Sequence, residues 1–250
     1  MTDGHRNGAP RRSNMYADAK TWSVFKGCEF NCVYCKPSFQ LQAKRQLHVC
    51  RRCYDFEPHL HPERLDTRKI PSAPIVFVGG NGDLAFSAHR DVVRIIEVIT
   101  EHSARHPDRT FYLQSKRPEC FEPFLDILPK SVVLVTTLET NRDEGYAAIS
   151  KAPPPTERYR QFLALDYPRK VVTIEPVMDF YADIFAKMIV KLAPEYVWLG
   201  FNSKPKSVQL PEPDVDKLRV FTTLLKQAGI PVREKELRGL DLVGGSDWRR

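Results

Sequence analysis

Apolar positions along this chain follow two periods in alternation. Short β-branched or aromatic runs recur at residues 21–25 (TWSVF), 75–78 (IVFV), 110–114 (TFYLQ), 132–137 (VVLVTT), 170–174 (KVVTI) and 196–200 (YVWLG). Continuous runs of this length predict strands buried on both faces. Between them, helical spacing covers residues 88–106 (with Val92, Val93, Ile95, Ile96 and Ile99), 119–128, 156–165, 182–192 and 214–228, the last closed by Gly229. Strand followed by helix, repeated along the chain, predicts an α/β fold with a parallel sheet and right-handed crossovers. A short last strand is expected at residues 231–235. Such units fit a partial (β/α)6 barrel and a doubly wound sheet equally, and periodicity does not separate the two.

Some stretches depart from the rhythm. Residues 1–18 are polar and basic and are expected to be a flexible tail, and residues 241–250 a C-terminal tail. The body of the fold is expected over residues 19–240. Within it, residues 36–72 exceed what one crossover helix needs and form a small Cys/His-rich, basic insertion. The PPP run at residues 153–155 predicts a rigid surface loop ahead of the fourth helix.

Composition narrows the class of protein. A hydrophobic content of 42% in 250 residues supplies a core without covalent staples. The amino-terminal residues contain no apolar run, and no segment approaches ~20 consecutive apolar residues. A cytoplasmic protein without a membrane span is expected. Of the 6 cysteines, all but Cys120 fall between Cys28 and Cys53, which favours thiolates binding metal over a disulfide framework. The net charge of +7 permits attraction to phosphate.

The densest chemistry is KGCEFNCVYCKPSF, where Cys28, Cys32 and Cys35 stand with three and two residues between them just after the first strand. Structural zinc and tetrathiolate clusters both call for four ligands. Three thiolates in one loop suit a cubane cluster whose fourth iron stays open to a small molecule. A zinc loop that borrows Cys50 or a histidine is the alternative.

The triplet, with aromatic Tyr34 immediately before its third cysteine, resembles the cluster motif of the radical S-adenosylmethionine (SAM) superfamily. The resemblance implies a partial barrel and a [4Fe-4S] cluster on Cys28, Cys32 and Cys35. It also implies SAM on the open iron, cleaved reductively to a 5′-deoxyadenosyl radical, and an electron donor such as a flavodoxin or ferredoxin. A Gly-Gly-acidic turn ends the second strand in that superfamily and receives the methionine amino group. Here Gly79 and Gly80 take that place, although Asn81 replaces the acid and Asp83 comes later.

Other strand ends are polar: QSKR at residues 114–117, TLETN at 137–141, IEP with Glu175, and GFNS at 200–203. In parallel β/α folds ligands sit at the carboxyl ends of strands, so these residues are expected to converge. By the same resemblance Glu139 would bind the ribose hydroxyls and Lys116 or Arg142 the methionine carboxylate. The order of motifs, from Thr21-Trp22 and Gly27-Cys28 through GGNGD, SKRP, LETN and IEPVMD to PVREKELRG, is similar to a phage-associated, poorly characterised branch of the superfamily. It is more distantly similar to the DNA photoproduct lyases, in which a cysteine donates hydrogen; Cys120 would fill that role, or else be a small buried hydrophobe.

A second group is Cys50-x2-Cys53 followed by His59 and His61, two sulfurs and two imidazoles of the right softness for tetrahedral zinc. A second iron–sulfur cluster, or an unmetallated pair, are the alternatives. Around it Lys44, Arg45, Arg51 and Arg52 are interleaved with His48 and Tyr54, with no acid from residue 42 to 54. Cations on phosphate and an aromatic under a base make a nucleic-acid grip, and a solvated helix face is the plainer reading. Together these features predict a radical SAM enzyme acting on nucleic acid or a nucleotide. The rival is a non-catalytic, zinc-stabilised nucleic-acid-binding protein, and a third reading is a barrel that keeps its cluster for structural or redox purposes only.

Overall fold

The computed structural model describes residues 19–234. The main sheet takes its strands strictly in chain order: β1 (Ala19–Trp22), β4 (Ile75–Val78), β5 (Thr110–Gln114), β6 (Val132–Thr137), β7 (Lys170–Ile174), β8 (Val197–Leu199) and β9 (Val232–Glu234). Every neighbouring pair in it is parallel. A doubly wound sheet reverses its strand order at a switch point. Strictly sequential order removes that option, and the seven strands curl into a partial barrel. The expected last strand is present as β9, ending within the described residues at Glu234.

The first predicted strand divides. Residues 21–25 do not form one element: β1 ends at Trp22, and β2 (Phe25–Lys26) joins a separate antiparallel pair with β3 (His59–Leu60). The backbone released at the break is satisfied by the insertion, with the His61 amide donating to the Val24 carbonyl (2.8 Å) and the Arg64 guanidinium to that of Ser23 (2.8 Å). Apolarity alone could not show the break, because Val24 and Phe25 are both buried in the new direction.

The insertion runs through a π turn at Lys36–Gln40 into α1 (Leu41–Ala43), then α2 (Arg51–Tyr54) and β3. The crossover helices α3 (His89–Arg105), α4 (Pro155–Ala164), α5 (Ala182–Leu192) and α6 (Val215–Gln227) lie close to the predicted ranges. The helix predicted at 119–128 is instead a 3-10 segment, Pro118–Ile127, with Pro123 inside it. A proline lacks the amide that an α-helix needs there and clashes with the preceding turn.

Strand residues alternate between two cores. Val76, Val78, Phe111, Leu113, Val132, Leu134, Val172, Ile174, Val197 and Leu199 pack outward with the helices. Phe77, Tyr112, Val133, Val135, Val171, Tyr196 and Trp198 point inward and fill the barrel. Period-two alternation then dictates which residues nearer the strand carboxyl ends face the interior. Inward-facing Gln114, Thr137 and Thr173 form a polar layer above this filling, with Gln114 Nε2 donating to Thr137 Oγ1 (2.8 Å) and Thr173 Oγ1 within 2.8 Å of the same oxygen. No helix among the described residues is long and apolar enough to cross a membrane.

Candidate active site

A cavity of about 300 Å³ opens at the carboxyl ends of the strands, within the size range of small-molecule sites. Its floor is the Gln114, Thr137 and Thr173 layer, and Cys28, Cys32 and Cys35 stand in its wall. Gly80, Lys116 and Glu175 also line it, as do Phe30, Phe56 and Phe201. Of the predicted strand ends, Gln114, Lys116, Thr137, Glu175 and residues 201–203 line this cavity, and Glu139 and Arg142 do not. Thr173 had no signal at a strand end, because it is a penultimate strand residue whose inward direction comes from register.

The cysteine loop is held at both ends. Gly27 has φ +87°, and a Cβ there would sit 2.1 Å from the Glu57 carbonyl oxygen, so only glycine fits. Its amide donates to the Asn81 carbonyl (3.0 Å), and the Cys28 amide donates to that of Phe56 (3.3 Å). Farther along, Cys32 Sγ lies 3.1 Å from Ser150 Oγ, and the Val33 amide donates to the Ile149 carbonyl (2.9 Å). The Gly79–Asp83 turn joins the start of the loop directly, with the Asp83 amide donating to the Gly27 carbonyl (3.1 Å). Gly80 packs so tightly on Thr21 that a Cβ would stand 2.8 Å from its methyl group. Asp83, buried, accepts from Ser115 Oγ (2.6 Å) and the Lys116 amide (2.9 Å), tying the ends of β4 and β5 together.

Behind the wall lies a buried charge network centred on Glu139. Lys116 Nζ (2.7 Å), Tyr34 OH (2.5 Å) and Tyr146 OH (3.1 Å) donate to its Oε1, and Arg158 Nη2 (2.6 Å) donates to its Oε2. Lys116 also donates to Tyr34 OH. Glu139 and Arg158 are fully buried. Burial opposes ionisation of Glu139, but Arg158 and Lys116 outweigh it and hold the carboxyl well below its ordinary range. Burial likewise works against the Lys116 ammonium, and the Glu139 charge keeps it protonated above the usual lysine range.

Lys116 lines the cavity together with the acids Asp83 and Glu175. A hydrogen bond from Cys35, then Lys116 and Ser150, outweigh burial and bring the Cys32 pKa down to about 5. Burial pushes Cys28 the other way, and Cys35 is raised chiefly by its hydrogen bond to Cys32.

Arg158 and Tyr146 were not among the sequence candidates. The signal for Arg158 was present: it shares the buried face of α4 with Pro155 and Phe162, an arginine at a position in the apolar stripe. Arg142, by contrast, donates to Asp179 Oδ2 (2.5 Å) and Lys217 to Asp179 Oδ1 (2.5 Å), so the Arg142 charge is directed to that carboxylate. Glu139 stands behind Tyr34 and Lys116 with both oxygens engaged. Cys120 is in the 3-10 segment, packed against the outer core, its thiol pushed up to about 12 by burial and then by Asp83.

The second cysteine pair forms a separate group. Cys50, Cys53, His59 and His61 place one donor atom each within 4.8 Å of one another, whereas Cys28, Cys32 and Cys35 do not gather in this way among the described residues. A single ion requires such gathering; a cubane, which seats each thiolate on its own iron, does not. Cys50 stands with Cys53, His59 and His61 rather than with the triplet.

Lys44, Arg51 and Arg52 of the insertion are locally partnered. Arg51 pairs with Asp55 (2.7 Å) and Arg52 with Glu57 (3.1 Å), acids just past the stretch that lacked them. Lys44 donates to the Tyr54 carbonyl (2.9 Å) and lies over its ring, and Arg45 lines a smaller cavity of about 190 Å³ with Lys26 and Gln42.

No protein-family model and no curated protein matches the chain. Solved structures do match. A radical SAM methyltransferase from Sphaerobacter thermophilus superposes with a TM-score of 0.51 at 14% identity, over 84% of this chain and 63% of that one. SuiB from Streptococcus suis, in complex with the precursor peptide SuiA, superposes with a TM-score of 0.55 at 11% identity, over 90% of this chain and 49% of that one. The chain thus spans about three fifths and half of the lengths of these two proteins. The likeness establishes the fold, a partial barrel of the radical SAM type.

Proposed function

We propose that this chain is a radical SAM enzyme. The observation that carries the reading is the three-cysteine loop opening onto the cavity at the strand carboxyl ends of a barrel of that type. With a [4Fe-4S] cluster on Cys28, Cys32 and Cys35, SAM bound in the cavity would accept an electron and yield methionine and a 5′-deoxyadenosyl radical that takes hydrogen from a substrate. The donor set fits such a group: three thiols of one loop line the cavity with the Lys116 ammonium, whose charge offsets part of the negative charge that three thiolates bring.

The chain's own residues orient and shield the reactants. Lys116, locked by Glu139 and Tyr34, supplies the cation for a methionine carboxylate. Glu139 acts through Lys116 in this reading, in place of the ribose contact that the resemblance implied. Gly80 brings bare backbone to the cavity wall, where a side chain would collide. Gln114, Thr137 and Thr173 offer hydrogen-bonding groups at the floor, and Phe30 and Phe201 exclude water. The substrate class we propose is nucleic acid or a nucleotide. The exposed Arg51–Asp55 and Arg52–Glu57 pairs contribute little to stability, so phosphates can take their cations.

The test is anaerobic reconstitution, with iron and sulfide analysis and assay of 5′-deoxyadenosine from SAM under a strong reductant. Wild type should bind iron and form the nucleoside, and Cys32→Ala should do neither. A colourless, zinc-only wild type inactive in this assay would leave the non-catalytic binding protein as the better reading. Iron binding without SAM cleavage would favour a cluster kept for structural or redox purposes.

A further inference from the structure

The Cys50, Cys53, His59 and His61 group lies outside the proposed radical chemistry, yet it is a built site. Cys53, His59 and His61 are buried and Cys50 is half-buried. His59 Nε2 stands 3.4 Å from both Cys50 Sγ and Cys53 Sγ, and His61 Nε2 stands 3.2 Å from Cys53 Sγ. Tetrahedral donors around zinc, at ~2.0–2.3 Å from the ion, stand at separations of this order. Both imidazoles are already oriented for it. His59 Nδ1 donates to the Glu57 carbonyl (2.7 Å) and His61 Nδ1 to Glu63 Oε1 (2.8 Å), which leaves each Nε2 lone pair facing the sulfurs. A backbone carbonyl and a carboxylate are the usual outer partners of metal-bound histidine. Four protein donors fill a tetrahedron and leave no open position, the mark of a structural rather than a catalytic site.

What such an ion would hold is equally visible. It would join α2, through Cys50 and Cys53, to β3 and the residue after it, through His59 and His61. β3 pairs with β2, Lys26 opposite His59, and the His61 amide bonds to Val24. The residues that follow β2 are Gly27 and Cys28, whose backbone rests on Phe56 and Glu57, in the link between α2 and β3. The first cysteine of the triplet is therefore built on the backbone that this group gathers.

We propose that Cys50, Cys53, His59 and His61 bind one zinc ion that braces the Gly27–Cys28 end of the cysteine loop. The zinc site stands independently of the radical SAM reading; only its consequence for cluster loading rests on that reading.

Zinc should be measured per chain in anaerobically purified wild type, Cys50→Ser, Glu63→Gln and Cys32→Ala, with Co2+ in place of zinc to read tetrahedral ligand-field absorption. Wild type and Cys32→Ala are expected to hold one zinc each, Cys50→Ser to lose it, and Glu63→Gln to retain its fold with zinc affinity lowered ~10- to 100-fold in chelator competition. Zinc removed by chelator from wild type, with retained secondary structure checked by circular dichroism, should speed alkylation of Cys28 several-fold by peptide mapping. Iron uptake on reconstitution should fall in parallel. Wild type without zinc, or with iron bound to these four residues, would overturn the site. Equal Cys28 alkylation with and without zinc would overturn the brace. Because zinc and alkylation are read before any iron is added, failure of the cluster to form would count against the radical SAM reading alone.

Discussion

Replacing Glu139 with glutamine tests the charge network behind the cavity. The amide keeps the shape and an acceptor oxygen but removes the counter-charge of two buried cations, Arg158 fully enclosed and Lys116 only 14% exposed. Breaking a buried pair by deleting one partner costs about 3–5 kcal/mol, because the remaining charge is uncompensated. At roughly 2–4 °C per kcal/mol for a domain of this size, the melting temperature should fall by about 6–20 °C.

The pH dependence carries a sign. Glu139 has a depressed folded pKa, so its stabilisation is present above the unfolded carboxyl pKa and is lost as pH falls below it. Lys116 has a raised one, so its share is present below the unfolded lysine pKa and is lost as pH rises through the folded value. Urea unfolding under anaerobic conditions across pH, followed by circular dichroism, should therefore show a shallower acid limb in Glu139→Gln than in wild type. Adding Lys116→Met should recover part of the loss, with a coupling of about 1–3 kcal/mol in the double-mutant cycle. A Glu139→Gln variant within about 0.5 kcal/mol of wild type, the range of an ordinary surface change, would refute the network as a buried, charged unit.

Other outcomes follow from single contacts. Gly27→Ala forces a Cβ onto the Glu57 carbonyl at a positive φ, so destabilisation of about 1–3 kcal/mol or more and loss of iron loading are expected; wild-type melting and iron content would remove the close approach. Thr173→Val takes a hydroxyl from the cavity floor and should weaken SAM binding several-fold in equilibrium dialysis without changing iron content, whereas lost iron would place Thr173 in the cluster support instead. Neutralising Lys44, Arg45, Arg51 and Arg52 together should weaken nucleic-acid binding and flatten its salt dependence, and unchanged binding would remove the grip. Cys120→Ala, a truncation in the outer core, should leave formation of 5′-deoxyadenosine from SAM at the wild-type rate; a fall in that rate would tie Cys120 to SAM cleavage itself.

The sequence by itself determined the elements and the donor sets. Runs such as VVLVTT and KVVTI are apolar on both faces, so they had to be inner strands, and three cysteines within one loop stay close whatever the fold. The cysteine pair and two histidines are likewise near enough in the chain for local turns to gather them. Residues 1–18 and 235–250, with the two predicted tails and the end of the PVREKELRG motif, lie outside the described residues.

Tertiary structure decided the rest, because it depends on contacts between residues far apart in the chain. Strand order separated the partial barrel from the doubly wound sheet. Register turned Thr173 inward, and the insertion drew Val24 and Phe25 out of the first strand. The partners of a long side chain were decided the same way: Arg142 went to Asp179, while Arg158, on the apolar face of a helix, reached the Glu139 that also holds Lys116. Composition records how many charges a chain carries, but burial sets their strength, and burial is a property of the packed fold.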